Sequence, residues 1–196
     1  MKFPFDKAII LEDDTALLRP LQLSDTPNLL AIASADEKLV QFSPWQIHNE
    51  ELLSAWIQKT IDEWHNKTKY PFIIFDKRKK AYAGSTSFLA ISNVDSRVEI
   101  GATWLGKDFQ QTGLNRHCKF LLLRFAFDEL GAMRVELKTD ERNKKSRTAI
   151  EKIGGKFEGI LRSHSLLPDG YRRNVVYYSI LKDEWQELKN TLVVNR

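Results

Sequence analysis

Residues 99–159 read EIGATWLGKDFQQTGLNRHCKFLLLRFAFDELGAMRVELKTDERNKKSRTAIEKIGGKFEG, and the order of patterns in this stretch decides the fold. Its first residues are rich in β-branched and aromatic side chains and read as a strand. A polar, glycine-bearing loop follows. Leu114, Cys118, Leu121, Leu122 and Phe125 then recur at helical spacing, with Phe120, Leu123 and Phe127 widening the buried face, so a helix is expected over 113–130. MRVELKT alternates as a strand. A short helix over 144–153 buries Ile150 and Ile153 and stops at Gly154-Gly155, where glycine accepts positive φ. At the start of the long helix, backbone N–H groups have no intrahelical partner and favour an anion, above all a phosphate. Gly113 lets the backbone approach such a group closely.

Working outward from this stretch, residues 8–21 read as two strands around a turn at Glu12-Asp13-Asp14. Ser24 or Asp25 can cap a helix through NLLAIASADEKL, and a second helix follows Asn49 with Leu52, Leu53, Trp56, Ile57, Ile61 and Trp64 as its apolar stripe. YPFIIFD, AYAGSTSFLAI and RVEIGATWLG form an antiparallel meander. On the other flank, KFEGILRSHSLL and YRRNVVYYSIL are strands joined by Pro168-Asp169-Gly170. With no repeat and no Pro/Gly/Ser linker, residues 1–196 are expected to form a single α/β (α+β) domain.

Composition narrows the functions. The chain has 196 residues, 42% hydrophobic and 29% charged, a globular balance. No apolar run approaches the length of a membrane span, and MKFPFDKAII is charged too early for a signal peptide, so a cytoplasmic protein with no membrane partner is expected. Cys118 is the only cysteine; it lies in an apolar helical stretch and reads as core packing, and neither a disulfide nor a zinc cluster can be built. Thirty basic against twenty-six acidic residues give +4, which suits an anionic ligand. DNA is not an expected partner, because the aromatic residues fall at core spacings without an interleaved basic face. KRKK at 77–80 reads as a solvated turn, and ERNKKSR at 141–147 adjoins a helix start.

Gln110-Gln111-Thr112-Gly113-Leu114-Asn115 resembles the Q/R-x-x-G-x-G/A pyrophosphate loop of the GNAT superfamily of N-acetyltransferases, with Asn115 where a small residue is usual. EIGATWLG, the N-x-x-S-x-x-x-x-E-K-x-G pattern inside LKTDERNKKSRTAIEKIGGKFEGILR, and the closing DGYRRNVVYYSILKDEW are similar to the RimJ/RimL type, which acts on ribosomal-protein N-termini. The resemblance runs in order from residue 99 nearly to 185. It implies a central mixed, mostly antiparallel, twisted sheet flanked by helices, with a V-shaped split between the fourth and fifth core strands, here 97–105 and 133–139.

The resemblance also implies acetyl-CoA as co-substrate, with no metal, and direct transfer in a ternary complex to a primary amine. A protein N-terminal α-amine is the leading acceptor; polyamines and small amines are alternatives, as is a catalytically silent acyl-CoA-binding protein. A homodimer is left open. Carried over by position, the backbone at Trp104 and Leu105 meets the pantetheine arm, Gln110, Gln111, Thr112, Gly113, Leu114 and Asn115 hold the pyrophosphate, and Asn143 bonds the pantetheine or caps a helix. Glu99 matches the strand glutamate and is the base candidate. The tyrosine that many relatives carry seven residues after the asparagine is replaced by Ile150. Ser146 matches the serine acid of the N-terminal acetyltransferase branch, or is a first-turn helix residue, and Tyr178 is the fallback acid.

Overall fold

The computed structural model describes residues 1–192. Eight strands form one sheet in the order β1-β2-β3-β4-β5-β6-β8-β7: β1 (Leu11–Glu12), β2 (Ala16–Pro20), β3 (Lys69–Asp76), β4 (Ala81–Ser92), β5 (Arg97–Leu105), β6 (Arg134–Asp140), β7 (Lys156–Leu166) and β8 (Arg172–Leu181). All neighbours are antiparallel except β5 and β6, which run parallel. Such a parallel pair needs a crossover. The crossover is α3 (Leu114–Arg124), which continues into a single π-helical turn at Phe125–Glu129. The expected helix over 113–130 is therefore an α-helix with a π-turn at its end.

The other helices are α1 (Thr26–Ser34), α2 (Glu50–His65), α4 (Lys144–Lys152) and α5 (Lys182–Leu192). None is long and apolar enough to cross a membrane among the described residues. Helix α2 follows Asn49 as expected, and the Asn49 side chain caps it, accepting from the Leu52 N–H at 2.9 Å. The first helix differs from expectation. Asp25 stands at its N-cap position, but its side chain makes no capping bond, because both carboxylate oxygens are taken by the Arg19 guanidinium, at 2.6 and 2.9 Å, and α1 stops at Ser34 rather than running to Leu39. Helix α5 has no counterpart in the sequence reading; Trp185 anchors it, fully buried against Phe127 with its indole N–H on Asp128 at 2.8 Å.

The apolar residues separate into two layers. On one face, α3, α4 and α5 cover Val98, Ile100, Val135, Leu137, Val176 and Tyr178. On the other, α1 and α2 cover Leu21, Ile73 and Trp104 through Leu29, Leu53, Trp56 and Ile57. Truncating a fully buried leucine such as Leu53 to alanine should cost about 2–5 kcal/mol. Cys118 is buried in the first layer, and burial pushes its thiol up to about 12, as befits a packing residue.

Two irregularities shape the middle of the sheet. The parallel pairing of β5 with β6 spans only Arg97↔Arg134, Val98↔Val135 and Glu99↔Glu136. Beyond Glu99 both strands continue without each other, β5 held by β4 and β6 by β8, so the sheet opens as a wedge between them. Within β5, Ser85↔Trp104 and Ser87↔Gly101 leave one extra residue on the β5 side. This is a bulge, and Ala102 takes φ 48° there.

Candidate active site

Because β5 and β6 are parallel, both strands end at the mouth of the wedge, and each leads into a helix. The N-termini of α3 and α4 therefore flank the opening. Ligands bind at such carboxyl ends of parallel strands, and two helix N-termini present partial positive charge and unpaired N–H groups to an anion.

On the α3 side the loop 110–115 is tightly formed. Gln110 Nε2 donates to the Leu105 carbonyl at 3.0 Å, and Thr112 Oγ1 donates to the Phe109 carbonyl at 2.8 Å. Gly113 has φ 87°, a left-handed conformation that disfavours any side chain, and a Cβ placed on it meets no atom within 4 Å. The space beside its backbone is open, as a bound phosphate requires. Asn115 lies in the first turn of α3 with its Oδ1 buried and without a hydrogen-bond partner. The basic turn at 77–80 is not simply solvated: Arg78 donates to the Thr112 carbonyl at 3.3 Å and Lys79 to the Asp108 carbonyl at 2.7 Å, bracing the loop from β4.

On the α4 side Asn143 is the N-cap, its Oδ1 accepting from the Ser146 N–H at 3.1 Å. Ser146 is half-buried in the first turn of α4. Tyr178 pairs with Leu137 and is fully buried beneath α4. Its hydroxyl accepts from Arg147 Nε at 3.1 Å and donates to Glu151 Oε1 at 3.0 Å. The neighbouring Tyr177 faces the opposite layer, as strand alternation demands.

Glu99 sits where the wedge closes, on the α1/α2 face and only 5% exposed. Burial pushes its carboxyl above the usual carboxylate range, against the pull of Lys138, whose Nζ lies 2.7 Å from Oε2. Lys138 also rests 5.2 Å from the Tyr177 ring centroid. Through the opposite face of β5 comes Lys119, buried on α3. It donates to Thr103 Oγ1 at 2.8 Å, and Thr103 in turn shares a 2.7 Å hydrogen bond with Thr86. No carboxylate lies within salt-bridge distance of Lys119 among the described residues, and burial lowers its ammonium to about 8.

The wedge thus brings together Glu99, Leu105, the 110–115 loop, Asn143 and Ser146 along its walls and mouth. Trp104 is placed differently from the backbone role expected of it. Its carbonyl is turned toward β4, so close that a Cβ on Gly84 would stand 2.1 Å from it, and the alternate backbone positions, Thr103 and Leu105, face the opening. Lys138, Lys119 and Thr103 escaped the sequence reading. Lys119 had left a signal: it lies one turn from Leu122 and Leu123 on an apolar stripe, where a lysine needs a reason to be. No cluster of three or more metal-ligating side chains occurs among the described residues.

The Acetyltransferase (GNAT) domain family matches residues 16–156. A Bacillus subtilis (strain 168) protein named "Putative ribosomal N-acetyltransferase YdaF" is 36% identical over 155 residues, which cover 71% of this chain and 84% of that protein. The crystal structure of a "putative acetyltransferase" from T. thermophilus superposes with a TM-score of 0.86 at 34% identity, covering 98% of this chain and 97% of that one. Mycobacterium smegmatis RimJ, solved in complex with CoA-disulfide, shares the fold with a TM-score of 0.79 at 19% identity, covering 95% and 92%. The family match across most of the chain, the close relative and the split sheet lead to one conclusion: this chain belongs to the GNAT family of N-acetyltransferases.

Proposed function

We propose that this enzyme transfers the acetyl group of acetyl-CoA directly to a protein N-terminal α-amine, in the cytoplasm and without a metal. The observation that carries this reading is the wedge itself, with two helix N-termini at its mouth and a buried carboxylate where it closes. The open space beside Gly113 and the left-handed backbone there fit a diphosphate against the N–H groups of residues 110–115. Leu105 and Asn143, on opposite walls, are placed to bond the amides of the pantetheine arm.

In this reading Glu99 takes the proton from the incoming amine, directly or through one water, as the nitrogen lone pair attacks the thioester carbon. The C–N bond forms and the C–S bond breaks. Ser146 gives its hydroxyl proton to the departing sulfur; the Tyr178 hydroxyl, whose proton goes to Glu151 beneath α4, would have to give up that bond to do so. An N-terminal α-amine, with a pKa near 8, is already partly neutral at physiological pH, so a carboxylate base suffices. The relative named as a putative ribosomal N-acetyltransferase favours a protein acceptor over a polyamine.

Acetyl-CoA should raise the thermal midpoint, because a ligand selective for the native state stabilises it by roughly 2.7 kcal/mol at a hundredfold excess over Kd. Gly113→Val should abolish most of that ligand-induced shift, read against the variant's own midpoint. A CoA-release screen of peptides with varied first residues alongside polyamines then tests the acceptor, and peptide turnover above polyamine turnover is expected. A full acetyl-CoA shift with no turnover of any amine would make the protein a silent acyl-CoA binder.

A further inference from the structure

The row of side chains that β4 and β5 present to the α1/α2 face contains two buried polar groups without a protein partner. Ser87 is fully buried and its Oγ makes no hydrogen bond among the described residues; the Trp104 indole N–H, 4% exposed as a residue, is in the same condition. Buried polar atoms are almost always paired, so each orphan calls for an explanation. Their neighbours show that these two are not packing accidents. Ser85, one step along the same face, donates to the Phe72 carbonyl at 2.8 Å, so hydroxyls in this row find partners where the backbone offers them.

Ser87 stands directly across from Gly101. Gly101 carries no side chain, and into the place its Cβ would take lean Leu89, with Cδ1 at 2.7 Å from that point, and Glu99, with Oε1 at 2.9 Å. Side chains directly opposite on an antiparallel pair have Cβ atoms about 4.5–5.5 Å apart. The Ser87 side chain and the Glu99 carboxylate therefore meet above Gly101 beside Leu89, one from β4 and one from β5. Lys138 holds the other carboxylate oxygen, Oε2, which leaves Oε1 on the Ser87 side.

We propose that Ser87 is a substrate-contacting residue, whose hydroxyl joins Glu99 Oε1 in holding the acceptor's amine nitrogen. The ligand class is a primary amine carrying at least two N–H donors: one directed at Glu99, which removes a proton, and one at Ser87 Oγ, which orients the lone pair toward the thioester. This deepens the proposed base role of Glu99 and rests on it for the direction of proton transfer, but the binding role of Ser87 is separate.

Ser87→Ala removes the hydroxyl and keeps the backbone. Assayed on the best peptide acceptor from the screen, it should raise the acceptor KM about tenfold, the scale of one hydrogen bond to a charged or polarised group, while the acetyl-CoA KM stays within about twofold. Unchanged acceptor KM and kcat would overturn the proposal. A readout without turnover comes from a crystal of the free protein at atomic resolution: an ordered water or ammonium bridging Ser87 Oγ and Glu99 Oε1 supports it, whereas a Ser87 hydroxyl bonded to a protein carbonyl overturns it. Should Glu99→Gln keep a normal kcat while Ser87→Ala still raises the acceptor KM, the base assignment fails and the amine subsite stands.

Discussion

The two faces of β5 treat buried polarity in opposite ways. Toward α3, Lys119, Thr103 and Thr86 form a chain in which every hydroxyl has a partner. Toward α1 and α2, Glu99 has Lys138, but Ser87 Oγ and Trp104 Nε1 have none among the described residues. Leaving a buried group unpaired costs roughly 1–3 kcal/mol, a cost that a bound water or amine would relieve. The closed side braces the bulge at Gly101–Thr103; the open side is the one proposed to meet the acceptor amine. One strand thereby separates shape from chemistry by the two-residue period of its side chains.

Glu99→Gln probes the open side and should have the largest effect, lowering kcat by about 10²–10⁴-fold while acetyl-CoA binding and the thermal midpoint hold. Burial raises the carboxyl and the proposed base role needs the carboxylate, so the acidic limb of the pH–rate profile should stand above the ordinary carboxylate range. Lys138→Met, which removes the cation that lowers it, should move that limb to higher pH. A normal kcat with an unmoved limb in the glutamine variant would reduce Glu99 to a positioning residue.

Ser146→Ala, at the mouth, should lower kcat by about 10²-fold with little change in the KM for acetyl-CoA, since an acid acts on the leaving sulfur and not on the bound ground state. A loss below about threefold would return Ser146 to its place in the first turn of α4 and make Tyr178→Phe the next variant.

The closed side should respond least in activity. Lys119→Met leaves Thr103 bonded to Thr86, so kcat should change by less than about threefold. Its signature lies in stability. Between about pH 8 and the ordinary lysine pKa of about 10.4, the unfolded chain keeps a proton that folded Lys119 has lost, so stability should rise with pH by at most about 1.4 kcal/mol per unit. Denaturation of the parent and the Lys119→Met variant across that range should differ by this slope. Equal slopes would mean that Lys119 is solvated, and a large loss of kcat would mean that the closed side takes part in the chemistry.

The order of elements was legible because it is written in local patterns: the alternation in RVEIGATWLG, the helical spacing from Leu114 to Phe125, the turn at Pro168-Asp169-Gly170. The missing side-chain cap of α1 was not, because it depends on the Arg19 side chain of β2 turning to take the Asp25 carboxylate. Helix α5 was hidden for a related reason, since its anchor is the long-range packing of Trp185 on Phe127. At the site, Glu99, Gly113, Asn143 and Ser146 could be named from motif positions, and the structure gives each a setting without testing its role. Lys138 could not be named, for its meaning comes from lying alongside Glu99 across a parallel pair formed by strands some thirty residues apart. Ser87 was hidden more deeply, because the signal is a missing partner and sequence lists only what is present.

The three-pair junction between β5 and β6 also bears on how the chain reaches its fold. Strands β1 to β5 pair in chain order, and β6, β7 and β8 pair among themselves, so each set can form largely from contacts between sequence neighbours. Joining them requires the whole α3 crossover to be in place before three parallel pairs can reward it, and non-local pairing of that kind is slow. The junction should therefore be the last part of the sheet to gain protection from hydrogen exchange during refolding. The place where the wedge closes is then also the place where folding finishes, and a nascent chain has no wedge until its carboxyl-terminal strands have docked.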